Sequence, residues 1–237
     1  MADALSIESL AFRWPKQQHN TLSIDSLLLP AGSSLFVRGP SGSGKSTLLN
    51  LLAGVLVPTE GLIRVLDQPL SQQSGKARDR FRADHIGYIF QQFNLLPYLS
   101  VIDNVMLPCR LSRRRLEKAL SEAESLTAAA ADRLSRLNIP ESLWQQRVSA
   151  LSVGQQQRVA AARGLMGLPE LVIADEPTSA LDQDNVDNFM DVLTGQCQAL
   201  GSALVFVSHD RHLARWFDQE LVLDSEAQAQ NKSESVS

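Results

Sequence analysis

The chain has 237 residues, 44% of them apolar and 20% charged, a composition that fits a folded globular chain and argues against global disorder. That length admits one large domain, or one domain carrying a sizeable insertion. A formal net charge of −4 supplies no basic field, so nucleic acid is not expected as a partner.

The opening "MADALSIESLAF" has neither a basic leader region nor a long apolar run, so no export signal is expected. No apolar run approaches the roughly 20 residues needed to cross a bilayer. A role at a membrane would therefore need another chain to provide the span. Alternating apolar residues near Leu5–Phe12 and Leu22–Leu29 predict an antiparallel hairpin. "SSLFVRG" reads as a buried strand that runs into a glycine-rich turn, with a helix continuing over Leu48–Ala53 and Gly54 as its C-cap. Turn chemistry at Pro58–Gly61 precedes a strand near Leu62–Leu66, and "IGYIF" gives another at Ile86–Phe90.

The texture then changes. Residues 91–167 are mostly helical in pattern, with Ala, Leu, Arg and Glu dominating Ser112–Leu137. The dense run "SRRRLEK" within it reads as a solvated helix face in preference to a dedicated binding patch. Strand signals return at "LVIA" and "ALVFV", separated by a helix from about Asp184 to Leu200. A short helix near Arg211–Phe217 and a strand near Leu221–Leu223 close the pattern, and the polar tail 225–237 lacks periodicity and is expected to be disordered. Cys109 and Cys197 have no metal-site spacing and suggest no disulfide framework, so a reducing cytoplasm is the default. An α/β core interrupted by a helical insertion follows.

Two stretches carry chemistry. "GPSGSGKS" opens a run, Gly39, Pro40, Ser41, Gly42, Ser43, Gly44, Lys45, Ser46 and Thr47, that has the spacing of a phosphate-binding P-loop between a strand and a helix. Its glycines permit positive φ and close backbone approach, and the helix start adds partial positive charge. Lys45 supplies a full charge toward the β- and γ-phosphates, and the Ser46 hydroxyl is a Mg²⁺ ligand candidate. "LVIADEP" ends an apolar strand on two carboxylates: Asp175 suits Mg²⁺ and Glu176 suits a general base that polarises water. Alone, this pair of features leaves kinases, GTPases, recombinases and transport ATPases open.

A third stretch, "LSVGQQQRV", narrows the choice. With Gln91, "SALD" and "VFVSHD" in order, the chain to about Leu223 resembles the ATP-binding subunit of ABC transporters. The wording "FNLLPYLSVIDNV" resembles the bacterial MacB-, LolD- and FtsE-like group most. The resemblance implies a P-loop NTPase (RecA-like) core with an N-terminal antiparallel β subdomain and an inserted α-helical subdomain, together spanning 1–224. It implies ATP hydrolysis with Mg²⁺ held by Ser46, Gln91 and Asp175, with Glu176 and His209 catalytic, and with Trp14 stacking on adenine (Phe12 being the alternative). It also implies that Ser152, Val153, Gly154, Gln155 and Asp182 act on the nucleotide of a second copy, in a head-to-tail homodimer. Such a subunit works on the cytoplasmic face of the inner membrane through a separate integral permease, here of the MacB or FtsX-like type, docked near Leu95, Leu96, Tyr98 and Leu99. Val153 departs from the family's glycine; a β-branched residue is tolerated there if φ is negative, with turnover altered but not abolished. Two bland readings compete: His209 as the cap of the helix that follows, and Gln91 as a plain loop residue. A soluble non-transport ABC ATPase, or a regulatory module without turnover, is the alternative function.

Overall fold

A computed structural model of the chain describes residues 3–181 and 183–224; Asp182 and the tail 225–237, both singled out from sequence, lie outside the described residues. The hairpin is present as β1 (Asp3–Phe12) and β2 (Leu22–Pro30), paired antiparallel from Leu5 opposite Leu29 to Phe12 opposite Leu22. β4 (Glu60–Val65) and the short β5 (Gln68–Pro69) extend it into a sheet ordered β2-β1-β4-β5.

The second sheet is wholly parallel and is ordered β6-β7-β8-β3-β9, from β3 (Ser34–Arg38), β6 (Ile86–Ile89), β7 (Leu171–Asp175), β8 (Ala203–Val207) and β9 (Gln219–Val222). Uninterrupted apolar runs such as "ALVFV" arise because both faces of this sheet are covered. Alternate residues sort into two cores. Leu171, Ile173, Val205 and Val207 face α1 (Lys45–Leu52) and the antiparallel sheet. Val172, Ala174, Leu204 and Phe206 face α7 (Gln183–Leu200) and the helical lobe.

The lobe packs α3 (Val101–Leu111), α4 (Arg113–Glu122), α5 (Leu126–Arg136) and α6 (Val153–Leu165) around Val105, Leu134, Val159 and Ala162. Each of these helices starts on a serine whose hydroxyl accepts an amide: Ser100 from Asp103, Ser112 from Arg115, Ser125 from Ala128 and Ser152 from Gln155. Ser74 does the same for α2 (Gly75–His85), a helix that sequence periodicity does not announce because Phe81 is its one buried residue. α6 lies hard against β6: a Cβ on Gly87 would sit 2.2 Å from the Gly164 carbonyl oxygen.

The charge run at the start of α4 is the expected solvated face only in part: Arg113, Arg114 and Glu117 are exposed, but the run also makes contacts across the fold. Arg114 and Lys118 reach Glu170, at 2.6 and 2.8 Å, and His85 Nδ1 lies 3.1 Å from its other oxygen. Burial alone would raise the Glu170 carboxyl, but His85, Lys118 and Arg114 together hold it far below the usual carboxylate range. Arg115 is buried outright. The run thus clips the lobe to the start of β7.

Candidate functional site

The parallel strands bring four separated segments to one edge. Gly39 follows β3, Gln91 follows β6 by two residues, Asp175 ends β7 with Glu176 next, and Ser208 and His209 follow β8. All four lie at carboxyl ends of parallel strands, the edge where open α/β sheets bind ligands. A cavity of about 460 Å³ there is lined by Thr21, Ser41, Gly42, Gly44, Lys45, Ser46, Thr47, Glu176 and His209.

The loop is shaped by glycine. Gly42 and Gly44 have φ of 81° and 90°, a region costly to residues with a Cβ. A Cβ on Gly39 would lie 2.4 Å from Ser43 Oγ, so only glycine fits against the turn. Gly44 caps α1 without any side-chain hydrogen bond. The amides of Gly44, Lys45, Ser46 and Thr47 donate to no acceptor among the described residues, and Leu48 is the first to close a helical bond, to Gly44. Unmatched donors converge on the cavity with the positive end of α1, which makes a ready anion site. Lys45 Nζ donates to the Gly39 and Pro40 carbonyls at 2.9 Å each. Burial lowers its ammonium, against the opposing pull of Glu176 and Asp175. Burial, then the charge of Glu176, pushes the Asp175 carboxyl up, with Lys45 pulling against them.

Glu176 sits at φ 44°, a left-handed backbone uncommon outside glycine, and its amide donates to the Val207 carbonyl at 3.0 Å. One carboxylate oxygen lies 2.6 Å from His209 Nε2 and the other accepts from Gln91 Nε2 at 3.4 Å. Gln91 is an exposed loop residue whose amide reaches Glu176, and His209 is not the cap of the helix that follows. Asp210, not His209, caps the 3-10 helix Arg211–Trp216 by accepting the His212 amide, while the imidazole turns to Glu176.

The loop after Gln91 is anchored by a residue that sequence reasoning missed. Arg163, at the end of α6, donates to the Phe93 and Asn94 carbonyls at 2.6 and 2.7 Å. Burial lowers its guanidinium to about 10, still charged at neutral pH. No motif signals this contact, because its partners are about seventy positions away in the chain. Thr21, between β1 and β2, also lines the cavity and was not singled out.

Ser152, Val153, Gly154 and Gln155 are not among the cavity's lining residues. They form a capping box at the start of α6: Ser152 Oγ accepts the Gln155 amide at 3.3 Å, and Gln155 Oε1 accepts the Ser152 amide at 3.0 Å. The amides of Val153 and Gly154 have no acceptor among the described residues. Val153 does not have positive φ and is 48% exposed, so its side chain fits the helix start without backbone strain. Between the two aromatic candidates, Phe12 is in the core and Trp14 is 40% exposed, with their rings edge to face at 5.1 Å. Trp14 presents the available ring face, although it does not line the cavity itself.

Set beside known proteins, the chain matches the family profile for ABC transporters over residues 22–179. It is 39% identical over 197 residues to the uncharacterised ABC transporter ATP-binding protein YbbA of Escherichia coli K12, covering 83% of each chain. It is 37% identical over 195 residues to the lipoprotein-releasing system ATP-binding protein LolD of Hydrogenovibrio crunogenus, covering 82% of this chain and 81% of that one. Its fold superposes on the ATP-binding cassette MJ0796, solved as a post-hydrolysis dimer bound to ADP and Pi, with a TM-score of 0.79 and 30% identity over 94% of this chain and 96% of the other.

Proposed function

Because this chain belongs to the ABC transporter family of ATPase subunits, and to its LolD-like group, we propose that two copies clasp ATP between them and drive a separate membrane permease. The observation that carries this reading is Glu176, bridged between Gln91 and His209 at the edge of a cavity lined by open amides. A carboxylate held by both oxygens beside a phosphate cradle is placed to orient water.

In this mechanism the amides of Gly44–Thr47 receive the β- and γ-phosphates, and Lys45 exchanges its two carbonyl partners for them. Trp14 offers its open face to the adenine. The donors at the site suit Mg²⁺: the Ser46 hydroxyl, the Gln91 amide oxygen and the Asp175 carboxylate are hard oxygens, and the crowding of Asp175 by Glu176 calls for a cation. Bound there, Mg²⁺ would neutralise charge on the phosphates. Glu176 takes the proton of the attacking water, and His209, hydrogen-bonded to it, faces the departing phosphate. Catalysis is mostly positioning and charge stabilisation.

The second half of the site comes from the other copy. A helix start whose serine and glutamine cap each other, yet whose amides at Val153 and Gly154 stay open, is an anion site without an anion of its own. The dimer with ADP and Pi seen for MJ0796 supports this arrangement. ATP then favours the closed pair and hydrolysis releases it. No helix among the described residues is long and apolar enough to cross a membrane, and in this reading a separate permease supplies the transmembrane path. We place this subunit on the cytoplasmic face of the inner membrane beneath a MacB or FtsX-like permease. Of the residues expected at that dock, Tyr98 is 69% exposed, while Leu95 packs on the lobe core.

Glu176→Gln tests the reading. It should bind ATP, accumulate as a dimer on size-exclusion chromatography and lose about 100-fold or more in phosphate release. Unchanged turnover would remove Glu176 from its role.

A further inference from the structure

Thr21 is the lining residue of the nucleotide cavity that serves neither phosphate nor water. In the proposed mechanism the loop from Ser41 to Thr47 takes the phosphates, and Glu176 and His209 attend the water. Thr21 enters from the other sheet, out of the loop between β1 and β2. Its hydroxyl donates to Gln17 Oε1 at 2.9 Å. Its amide donates to the Phe12 carbonyl at 2.8 Å, and its own carbonyl closes on the phosphate loop, where a Cβ on Gly44 would lie 3.1 Å away. Within the same loop the Gln17 amide donates to the Trp14 carbonyl at 3.1 Å. Trp14, Gln17, Thr21 and Gly44 thus form one chain of contacts from the open indole to the phosphate cradle.

The middle of that chain is polar and incompletely used. Thr21 is half-buried and Gln17 is exposed. A hydroxyl that donates to an amide oxygen keeps its own lone pairs, and Gln17 Nε2 donates to no acceptor among the described residues. An acceptor and a donor therefore stand side by side. A phosphate, which only accepts, would leave the Thr21 lone pairs facing oxygen. A hydroxyl group, which donates and accepts, satisfies both. With a base on Trp14 and phosphates over Gly44–Thr47, the part of a nucleotide that crosses Gln17 and Thr21 is its sugar.

We propose that Thr21 and Gln17 form a ribose-binding pair, in which the sugar diol donates to Thr21 Oγ1 and accepts from Gln17 Nε2. The proposal rests on the ATPase reading above, with adenine at Trp14, and adds the residues by which the subunit selects ribonucleotides over deoxyribonucleotides. A site built to hydrogen-bond a substrate hydroxyl rejects the analogue that lacks it, because its own polar groups are then left unpaired.

The test compares steady-state turnover of ATP and of 2′,3′-dideoxy-ATP, which lacks both hydroxyls, by the full chain. The native chain should show a KM about tenfold higher for the dideoxy nucleotide. Its kcat should differ little, because a contact made equally in the ground and transition states acts on binding alone. Thr21→Val keeps the side-chain shape and removes the hydroxyl. It should raise the KM for ATP to the dideoxy value and leave that value where it was. Thr21→Ser should restore most of the preference. Gln17→Met, at an exposed position, should lose part of it and gives a second route if the valine variant folds poorly. Equal KM values for the two nucleotides in the native chain would overturn the proposal. So would a Thr21→Val variant whose KM rises in the same proportion for both, since that marks a residue that only closes the loop. These outcomes leave the ATPase reading intact, whereas a native chain that does not hydrolyse ATP would overturn that reading and the ribose pair with it.

Discussion

Two helix starts in this molecule face the same electrostatic problem and resolve it oppositely. α1 opens on Gly44, with no side-chain cap and four amides turned to a cavity. α6 opens on Ser152, locked with Gln155 in a reciprocal box that leaves the amides of Val153 and Gly154 open. The serine-capped starts of α2, α3, α4 and α5 show that capping is the habit of this chain. The bare start therefore reads as a helix end reserved for a ligand the chain binds alone. The boxed start is satisfied without a ligand, and in the proposed function it becomes an anion site when a second copy brings one.

Removing the lysine should break the bare end most severely. Lys45→Ala should cut ATP turnover by about 100-fold or more, measured as phosphate release. It should cost little stability, because burial disfavours the Lys45 charge in the empty fold. A large loss of thermal stability would mean that the loop depends on Lys45 for its shape.

Ser152→Asp sharpens the contrast. Aspartate caps a helix as well as serine does, so unfolding free energy should change by less than about 1 kcal/mol. A carboxylate aimed at the partner's γ-phosphate should nonetheless abolish most turnover. The same change at Ser125, another capped start, should leave turnover alone. Equal effects at both positions would erase the distinction drawn between α6 and its neighbours.

Glu170→Gln probes the clip between the lobe and the parallel sheet. It should lower unfolding free energy by about 2 kcal/mol at pH 7, as read from urea titration. Because the folded carboxyl lies below its unfolded value, its stabilisation is complete above about pH 5 and fades as pH falls below about pH 4. The gap between native and variant should close in that window; a gap that persists there would assign the effect to packing. Val153→Gly should give the smallest change, with up to about 1 kcal/mol lost from helix propensity and a modest shift in rate. A large gain in rate would show that the valine restrains the native enzyme.

The nucleotide edge was legible in sequence because each of its parts is contiguous with a strand end. Gly39–Thr47 follows β3, Asp175 finishes β7 with Glu176 next, and His209 follows β8, so finding the strands located the residues. α2 was not legible, since "GKARDRFRADH" buries one aromatic and shows no apolar period, although Ser74 marked its start. The charge run at Ser112–Lys118 is solvated at Arg113, Arg114 and Glu117, as its composition implies, but its contacts across the fold are invisible in one helix. Glu170, which engages Arg114 and Lys118, comes from elsewhere in the chain. Arg163 was missed for the same reason. Phe12 and Trp14 could not be separated by alternation because residues two apart share a face of a strand, and only the packing shows which ring stays open.

The most direct measurement is a cross-link. Ser41→Cys and Val153→Cys, both exposed positions, are combined in the Glu176→Gln background and treated with a short thiol cross-linker. The native Cys109 and Cys197 are buried, with thiols pushed up to about 11 and about 12, and should not react. A nucleotide shared by two copies predicts a covalent dimer with ATP and monomer without it. Monomer under saturating ATP would contradict the shared site.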